Sequence, residues 1–377
     1  MPVSQPVLIF LATEDWYFVS HRLPLARAAV AAGYRVIVAT RVTNDGRLLA
    51  QAGCEVVQVE WTRGTGSPLS EFRLLVRLVA LYRSRRPAVV HHVALKPVLY
   101  GSLAALMAKV PAVVNAIAGL GYLFINADRR ARLLRPIVAM AFRKLLNRRG
   151  TWVILQNPAD QALLASEVGL EAERTVLIRG AGVDVAEFRD TPLPAGEPIV
   201  ILPARLLWDK GVGEFVEAAR QLRDEGLVAR FALVGGLDPA NPRAVERQLV
   251  ETWVAEGSVE WWGHRSDMPN VYRKASIVCL PSYREGLPKA LLEAAASGRP
   301  IVTTDVPGCR EIVAPDDNGL LVEPRNPSAL AAALRSLLQD RDACARMGQR
   351  GRLRAESEFS VERVVAETLP LYLRPAP

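Results

Sequence analysis

The sequence predicts an α/β protein with two doubly wound parallel sheets, and three observations carry that expectation. Short apolar runs alternate with helical patterns from end to end, the arrangement of strand–helix–strand units. The series restarts after a Pro/Gly-rich stretch, "TPLPAGEP" at 191–198. Finally, 377 residues with 50% apolar and 23% charged composition suffice for two full cores.

The first series of strand-like runs is "PVLIFLA" (6–12), "RVIVAT" (35–40), "CEVVQVE" (54–60), "AVVHHV" (88–93), "AVVNAIA" (112–118), "WVILQ" (152–156) and "TVLI" (175–178). Between the first two, "RLPLARAAVAAG" (22–33) reads as a helix closed by Gly33. His91 and His92 alternate in their strand and should point to opposite faces, with His92 and Lys96 nearer the loop edge. The second series is "IVILPA" (199–204), "FALVGG" (231–236), "VEWWG" (259–263), "SIVCLPS" (276–282), "PIVTTD" (300–305) and "GLLVEP" (319–324). The amphipathic end, "FSVERVVAETLPLYLRP" (359–375), is able to dock on either domain. Ligands of doubly wound sheets bind at the carboxyl ends of the strands, so a shared ligand is expected in a cleft between the domains.

Composition excludes several classes. Cys54, Cys279, Cys309 and Cys344 are scattered without a CxxC pair, which suits a reducing compartment and neither a disulfide framework nor a metal knuckle. The N-terminus lacks a basic region before its short apolar run and reads as a strand, not a signal peptide. "PVLYGSLAALMA" (97–108) is fenced by Lys96 and Lys109 and falls short of the roughly 20 residues a membrane span needs. The net charge of +8 is concentrated. Arg129, Arg130, Arg132, Arg135, Arg143, Lys144, Arg148 and Arg149 occur with no acid between 129 and 149, interleaved with Leu133, Leu134, Ile137, Met140, Phe142, Leu145 and Leu146. A basic amphipathic segment of this kind suits an anionic membrane surface, and its poverty in aromatic residues disfavours nucleic acid.

Two motifs carry chemistry. "ARLLWDKG" follows the first strand of the second series, and its Arg205 and Lys210 are suited to clamping a diphosphate. "REGLPKALLE" (284–293) holds two carboxylates eight positions apart, a poor common face on one helix. The spacing makes sense if Pro288 opens the helix at its first position, leaving Glu285 on the preceding loop and Glu293 inside the helix. The helix N-terminus then aims its N–H groups at the edge that carries both cations. A carboxylate beside phosphate needs another partner, and sugar hydroxyls are the obvious donors: a hexose hydroxyl for Glu285 and a ribose diol for Glu293. "GTG" (64–66) and "GAG" (180–182) do not complete a dinucleotide fingerprint, and "DRD" (340–342) reads as a surface feature of a charged helix.

These residues carry a resemblance. "REGLPKALLEAAASGRPIVTTDVPGCREIV" resembles the E-x7-E signature of glycosyltransferase family 4, and "PARLLWDKGVGEFVEAA" is similar to that family's diphosphate-binding segment. "LVGG" (233–236), "WWGHRSDMPNVYRKASIVCLPS" (261–282) and "NGLLVEPRNPSALAAAL" (318–334) match in order and spacing. Through "VSHRLPLARAAVAAGYRV", "VVHHVALKPVLYGSLAA" and "VNAIAGLGYLF", the first half resembles bacterial transferases that extend saccharides on polyprenyl-diphosphate carriers.

The resemblance implies a GT-B fold of two Rossmann-like domains facing a central cleft. These are an acceptor-binding domain at 1–188, a nucleotide-sugar domain at 189–357, and a C-terminal helix and tail at 358–377. It implies catalytic and phosphate roles for Arg205, Lys210 and Glu285, and donor contacts through Gly286, Leu287, Pro288 and Glu293. Gly263, His264 and Arg265 fall at the nucleobase pocket. Acceptor contacts are expected at His21, His92, Lys96 and Asn115, and membrane-surface contacts at Arg143, Lys144, Arg148 and Arg149. The implied reaction is retaining, with no metal and no cofactor: a hexose or N-acetylhexosamine passes from a UDP-sugar to a polyprenyl-diphosphate-linked saccharide at the inner face of the cell membrane. Where many members carry a Gly-Gly pair and, later, a histidine, this chain reads "EDWYF" and "NAIAGLGYLF". The rivals are a nucleotide-sugar epimerase of the same fold and a non-catalytic nucleotide-sugar sensor.

Overall fold

The computed structural model of the protein describes residues 5–61, 67–119 and 129–373, with 129–134 described as backbone only. The expectations at 64–66 and 120–124, and those on the side chains of Arg129, Arg130 and Arg132, lie outside the described residues. The chain divides into two compact units, Met1–Ala181 with Glu362–Pro377, and Gly182–Val361.

In the first unit the strands are β1 (Val7–Glu14), β2 (Arg35–Arg41), β3 (Glu55–Gln58), β4 (Val89–Val93), β5 (Ala112–Ala116), β6 (Thr151–Leu155) and β7 (Thr175–Leu177). They form one sheet in the order β3-β2-β1-β4-β5-β6-β7, every pair parallel. The second unit contains β8 (Ile199–Pro203), β9 (Arg230–Val234), β10 (Glu260–Gly263), β11 (Ile277–Leu280), β12 (Ile301–Thr304) and β13 (Gly319–Val322), in the order β10-β9-β8-β11-β12-β13. Each apolar run singled out in the sequence overlaps one of these strands, and four strands, β1, β2, β6 and β9, extend beyond their run at one end by one or two residues. Both sheets start a new direction of winding from their middle, as doubly wound folds do.

Side-chain alternation builds the layers of the first unit. Leu8, Phe10 and Ala12 of β1 face a core shared with the helix Asp15–Ala31. Ile9 and Leu11 face the opposite core, under the helices Pro68–Arg85 and Leu95–Ala108. A third cluster packs the helices Arg129–Leu146 and Pro158–Val168 on Val153 and Leu155 of β6.

The first helix begins well before the expected Arg22. Phe18 is buried against Phe10 with ring centroids 5.2 Å apart. The Asp15 carboxylate accepts hydrogen bonds from the N–H groups of Thr43 (2.7 Å), Asn44 (2.9 Å) and Asp45 (2.8 Å), which ties the helix start to the loop after β2. Gly33, at φ +90°, lies just beyond the helix end, as expected.

The C-terminal segment seats on the first unit, where Val364, Leu371 and Tyr372 join the core beside β1. The expected boundaries at 188 and 357 both fall inside the second unit. Val183 forms a parallel bridge with Ser360, and Phe188 and Phe359 are buried in the second unit's core, so the crossings move to 181/182 and 361/362.

His91 and His92 do face opposite sides of the sheet, and both are fully buried. His91 Nδ1 meets the Tyr372 hydroxyl at 2.7 Å. His92 is bracketed by Asn115 Oδ1 (2.8 Å from Nδ1) and the Tyr82 hydroxyl (3.1 Å from Nε2), with Ser102 donating to Asn115 at 3.0 Å. An acceptor at Nδ1 calls for the Nδ1–H tautomer, an assignment made from the network. Burial pushes the His92 pKa down to about 4 against a hydrogen bond to Asn115 that raises it, and burial lowers His91 as well.

Both rings are therefore neutral when folded and gain protons near pH 6.5 when unfolded, so stability falls as pH drops from 6.5 toward 4. For His92 the loss approaches about 3 kcal/mol. The melting temperature is expected to be lower at pH 5 than at pH 7, and His92→Gln should flatten part of that fall. A melting temperature constant across this range would contradict the account.

Candidate active site

In the second unit the winding reverses between β8 and β11, which are neighbours in the middle of the sheet. The loops leaving their carboxyl ends depart to opposite faces and leave a crevice. The β8 loop carries Arg205 and Lys210, and the β11 loop carries Ser282 and Glu285.

Close backbone packing fixes both loops. Gly211 ends the short turn Trp208–Lys210 at φ +70°, and a Cβ there would lie 2.1 Å from the carbonyl oxygen of Pro281. Only glycine lets the Lys210 turn approach the β11 loop this closely. The N–H of Tyr283 donates to the Asp209 carbonyl at 2.9 Å, which stitches the same two loops together. From the other side Gly308, at φ +84°, backs onto the carbonyls of Glu285 and Gly286; a Cβ there would lie 2.6 and 2.5 Å from them.

Within this frame Lys210 Nζ forms an ion pair with Glu285 Oε1, and both side chains are largely shielded. Ser282 donates to the same carboxylate oxygen at 2.7 Å. Glu285 stands on the loop before the helix Lys289–Ala296, as the spacing of the motif predicts, but Pro288 is the N-cap and Lys289 the first helical residue. No side chain caps this helix at Pro288, and the N–H of Leu291 turns back to the Pro288 carbonyl at 3.0 Å. Leu287 and Pro288 are buried, and Gly286 is half-buried.

Arg205 lies on the same loop as Lys210, half exposed and paired with Asp238 at 2.8 Å. Its position follows from the β9 loop: Leu206 N–H donates to the Gly236 carbonyl at 3.1 Å, and a Cβ on Gly235 would lie 1.8 Å from the Ala204 carbonyl oxygen. The two cations singled out in the sequence thus each hold a carboxylate beside the crevice.

Glu293 lies on the helix behind, nearly buried. Lys289 holds Oε1 at 3.0 Å and the Tyr272 hydroxyl donates to Oε2 at 3.0 Å. Burial and the neighbouring Glu293 carboxylate push the Tyr272 pKa well above the usual tyrosine value, so it stays a donor. Gly263 ends β10 at φ +67°, and His264 is exposed beside Gly236. Arg265 forks onto Asp267 at 2.8 and 2.7 Å, and this holds the Asp267 carboxyl down to about 2.

Arg265 also borders a cavity of about 480 Å³ with Trp262, Asn270, Lys274, Ile199 and Arg230. Ile199 and Arg230 open β8 and β9 at their amino ends, so this cavity is separate from the Lys210–Glu285 crevice. Among the described residues no three His, Cys, Asp or Glu side chains are grouped to hold a metal.

The first unit has its own reversal, between β1 and β4. Here Ala94 sits at φ +76°, ψ 162°, a region costing a non-glycine residue about 1–3 kcal/mol, immediately before the helix Leu95–Ala108. Lys96 in that helix's first turn pairs with Glu71 at 2.8 Å. His21 lies in the second turn of its helix, not at its start; its ring stacks on Tyr17 at 4.2 Å and Nδ1 lies 3.0 Å from the Tyr17 carbonyl. His92 and Asn115 belong to the sealed core described above, away from any surface.

On the basic helix, Arg143 and Lys144 are exposed along with Ile137 and Met140. Arg149, just beyond its end, is exposed too, whereas Arg148 is half-buried and donates to the Val110 carbonyl at 2.8 Å. Arg148 is thus a packing residue rather than part of the exposed basic surface. Asp238, Ser282, Tyr272 and Gly308 were not singled out in the sequence. Only Ser282 and Gly308 had a local signal, as neighbours of the motif in "PSYREG" and "VPGC".

Comparison with known proteins bears on the whole chain. Residues 184–354 match the family described as glycosyl transferases group 1, and residues 7–148 match the glycosyl transferase 4-like family. The chain is 28% identical, over 85% of its length and 86% of the relative's, to the N,N'-diacetylbacillosaminyl-diphospho-undecaprenol alpha-1,3-N-acetylgalactosaminyltransferase of Campylobacter jejuni. It is 23% identical to the capsular polysaccharide biosynthesis glycosyltransferase CapM of Staphylococcus aureus, over 88% of each. Among solved structures, Anabaena HepE in complex with UDP and glucose shares the fold. The TM-score is 0.77 at 22% identity, covering 96% of this chain and 99% of that one.

Proposed function

We propose, from the premise that the chain belongs to the group 1, family 4 glycosyltransferases matched by its two halves, that it moves a hexose or N-acetylhexosamine from a UDP-sugar to a polyprenyl-diphosphate-linked saccharide with retention. The observation that carries this reading is the Lys210–Glu285–Ser282 cluster at the reversal of the second sheet, beside an uncapped helix N-terminus. The Campylobacter relative acts on a lipid-diphosphate-linked sugar, and HepE binds UDP; both support the choice of substrates.

In the proposed reaction the bond between the sugar's anomeric carbon and the diphosphate breaks, with its electron pair leaving on the diphosphate. Lys210, Arg205 and the first N–H groups of the helix Lys289–Ala296 neutralise that charge. The acceptor hydroxyl attacks from the same face and passes its proton to the departing phosphate oxygen. Glu285, fixed by Lys210 and Ser282, holds a hydroxyl of the transferred sugar, and Glu293, fixed by Tyr272, holds the ribose. Gly286, Leu287 and Pro288 shape the loop around the sugar, and Gly263 and His264 flank the base, whereas Arg265 forks onto Asp267 beside the separate cavity at the amino ends of the strands. Acceptor contacts fall to His21 and Lys96, because His92 and Asn115 are sealed in the core.

Among the described residues no helix is long and apolar enough to cross a membrane. The proposed access to a lipid-linked acceptor is therefore peripheral, with Arg143, Lys144 and Arg149 attracted to the anionic inner face of the cell membrane.

Purified protein incubated with UDP-sugars should release UDP only when a lipid-diphosphate-linked saccharide is present. Isomerised sugar without acceptor would indicate an epimerase, and binding without turnover a sensor. Glu285→Gln should lower turnover about a hundredfold or more while leaving donor affinity within about threefold; unchanged turnover would remove Glu285 from the chemistry. Replacing Arg143, Lys144 and Arg149 by Gln should weaken binding to anionic vesicles about a hundredfold at low salt, given about 1 kcal/mol per charge. Equal binding by the variant and the parent would sink the peripheral-membrane proposal.

A further inference from the structure

Three helices of the first unit, Pro68–Arg85, Leu95–Ala108 and Arg129–Leu146, cover neighbouring parts of one sheet face. They are stitched to one another at their ends: Arg83 donates to the Met107 carbonyl at 3.3 Å, and Arg148 to that of Val110 at 2.8 Å. The outer side of this layer is unusual in two independent ways.

It is apolar where water would meet it. Leu69, Phe72 and Val76 follow one another at helical spacing on a single face of Pro68–Arg85, and are 57%, 62% and 51% exposed. Leu106 and Met107 on the second helix, and Ile137 and Met140 on the third, are exposed as well. Scattered exposed apolar residues are ordinary, but a stripe of three on one helix face, with two more exposed on each of the neighbouring helices, is not.

The segments that build it are also rich in one sign of charge. Residues 67–119 and 129–149 contain 15 Lys and Arg (7 in the first span and 8 in the second) against a single acid, Glu71. Glu71 is shielded and paired with Lys96. Acids from other elements reach Arg77 (Glu60), Arg85 (Glu55) and Arg135 (Glu167). Arg73, Lys109, Arg143, Lys144 and Arg149 stay exposed without an ion pair among the described residues.

We infer that this three-helix layer is a membrane-docking plane, in which Leu69, Phe72 and Val76 enter the headgroup region of an anionic bilayer beside the cations that attract it. The inference rests on the peripheral-membrane reading above and widens it from one basic helix to a second apolar contact at the helix Pro68–Arg85. Charge selects the occupant. An anionic lipid surface complements the exposed cations Arg73, Lys109, Arg143, Lys144 and Arg149, whereas a second copy of the same face would set cation against cation. Apolar side chains and cations together are what interfacial binding uses, the first adding buried area and the second attraction.

The test compares two variants of the full chain, Leu69→Ser/Phe72→Ser/Val76→Ser and Arg143→Gln/Lys144→Gln/Arg149→Gln. Both are assayed by co-sedimentation with phosphatidylglycerol-containing vesicles and with pure phosphatidylcholine vesicles, at low and high salt. The serine variant is expected to bind anionic vesicles about tenfold or more weakly, with a deficit that persists at high salt, while its turnover on a short-chain soluble acceptor matches the parent. The glutamine variant's deficit should vanish at high salt, where the parent has lost that attraction too. Parent-like binding by the serine variant alone overturns the second contact and leaves the basic-helix reading standing; parent-like binding by both overturns both. A parent dimer that becomes monomeric in the serine variant, seen by light scattering, would assign the stripe to contact between copies and overturn the inference.

Discussion

A parallel sheet wound outward in both directions has one place where adjacent strands send their loops apart, and the second unit puts opposite charges there. Lys210 on the β8 loop and Glu285 on the β11 loop meet across the reversal. That contact depends on backbone approach: Gly211 under Pro281, Gly235 under Ala204 and Gly308 behind Glu285 each occupy a place where a Cβ would collide. Backbone packing of this kind holds the two charged loops in place, which limits the rearrangement left for the moment when charge develops on a leaving group.

The two units use buried polarity differently. In the second, shielded polar groups surround a crevice and act on what enters it: Ser282 on Glu285, and Tyr272 on Glu293. In the first, His91 and His92 lie inside the core: Asn115 and Tyr82 satisfy both nitrogens of His92, whereas Tyr372 meets only Nδ1 of His91 and its Nε2 has no hydrogen-bond partner among the described residues. Its unusual chemistry lies outside, on the helices that bury Leu74, Leu78 and Phe142 inward and present cations and apolar side chains outward. On the proposed reading, the crevice of one unit takes the water-soluble nucleotide sugar and the outer helices of the other meet the membrane that holds the acceptor.

The fold was largely legible because parallel strands are buried on both faces and read as continuous apolar runs. The unit boundaries were not, because they depend on Val183 meeting Ser360 and on Phe188 and Phe359 sharing a core across most of the second unit's sequence. The Glu285 and Lys210 loops were legible from spacing and from Pro288. Asp238 and Tyr272 were not, since their partners, Arg205 and Glu293, are distant in sequence and bear no local mark. Alternation placed His91 and His92 on opposite faces of β4, but strand periodicity says nothing about depth, and His92 was expected too near the edge. Arg148 shows the same limit: its place in a basic run gave no sign that it turns inward to Val110.

The central claim is that the crevice at the β8–β11 reversal holds the nucleotide diphosphate. The most direct measurement is a crystal structure of the protein soaked with UDP. The account predicts the diphosphate within hydrogen-bonding distance of Lys210 Nζ, the Arg205 guanidinium and the first N–H groups of the helix Lys289–Ala296, with the ribose on Glu293. UDP in the cavity beside Trp262 and Arg230, with the Lys210–Glu285 crevice empty, would contradict it.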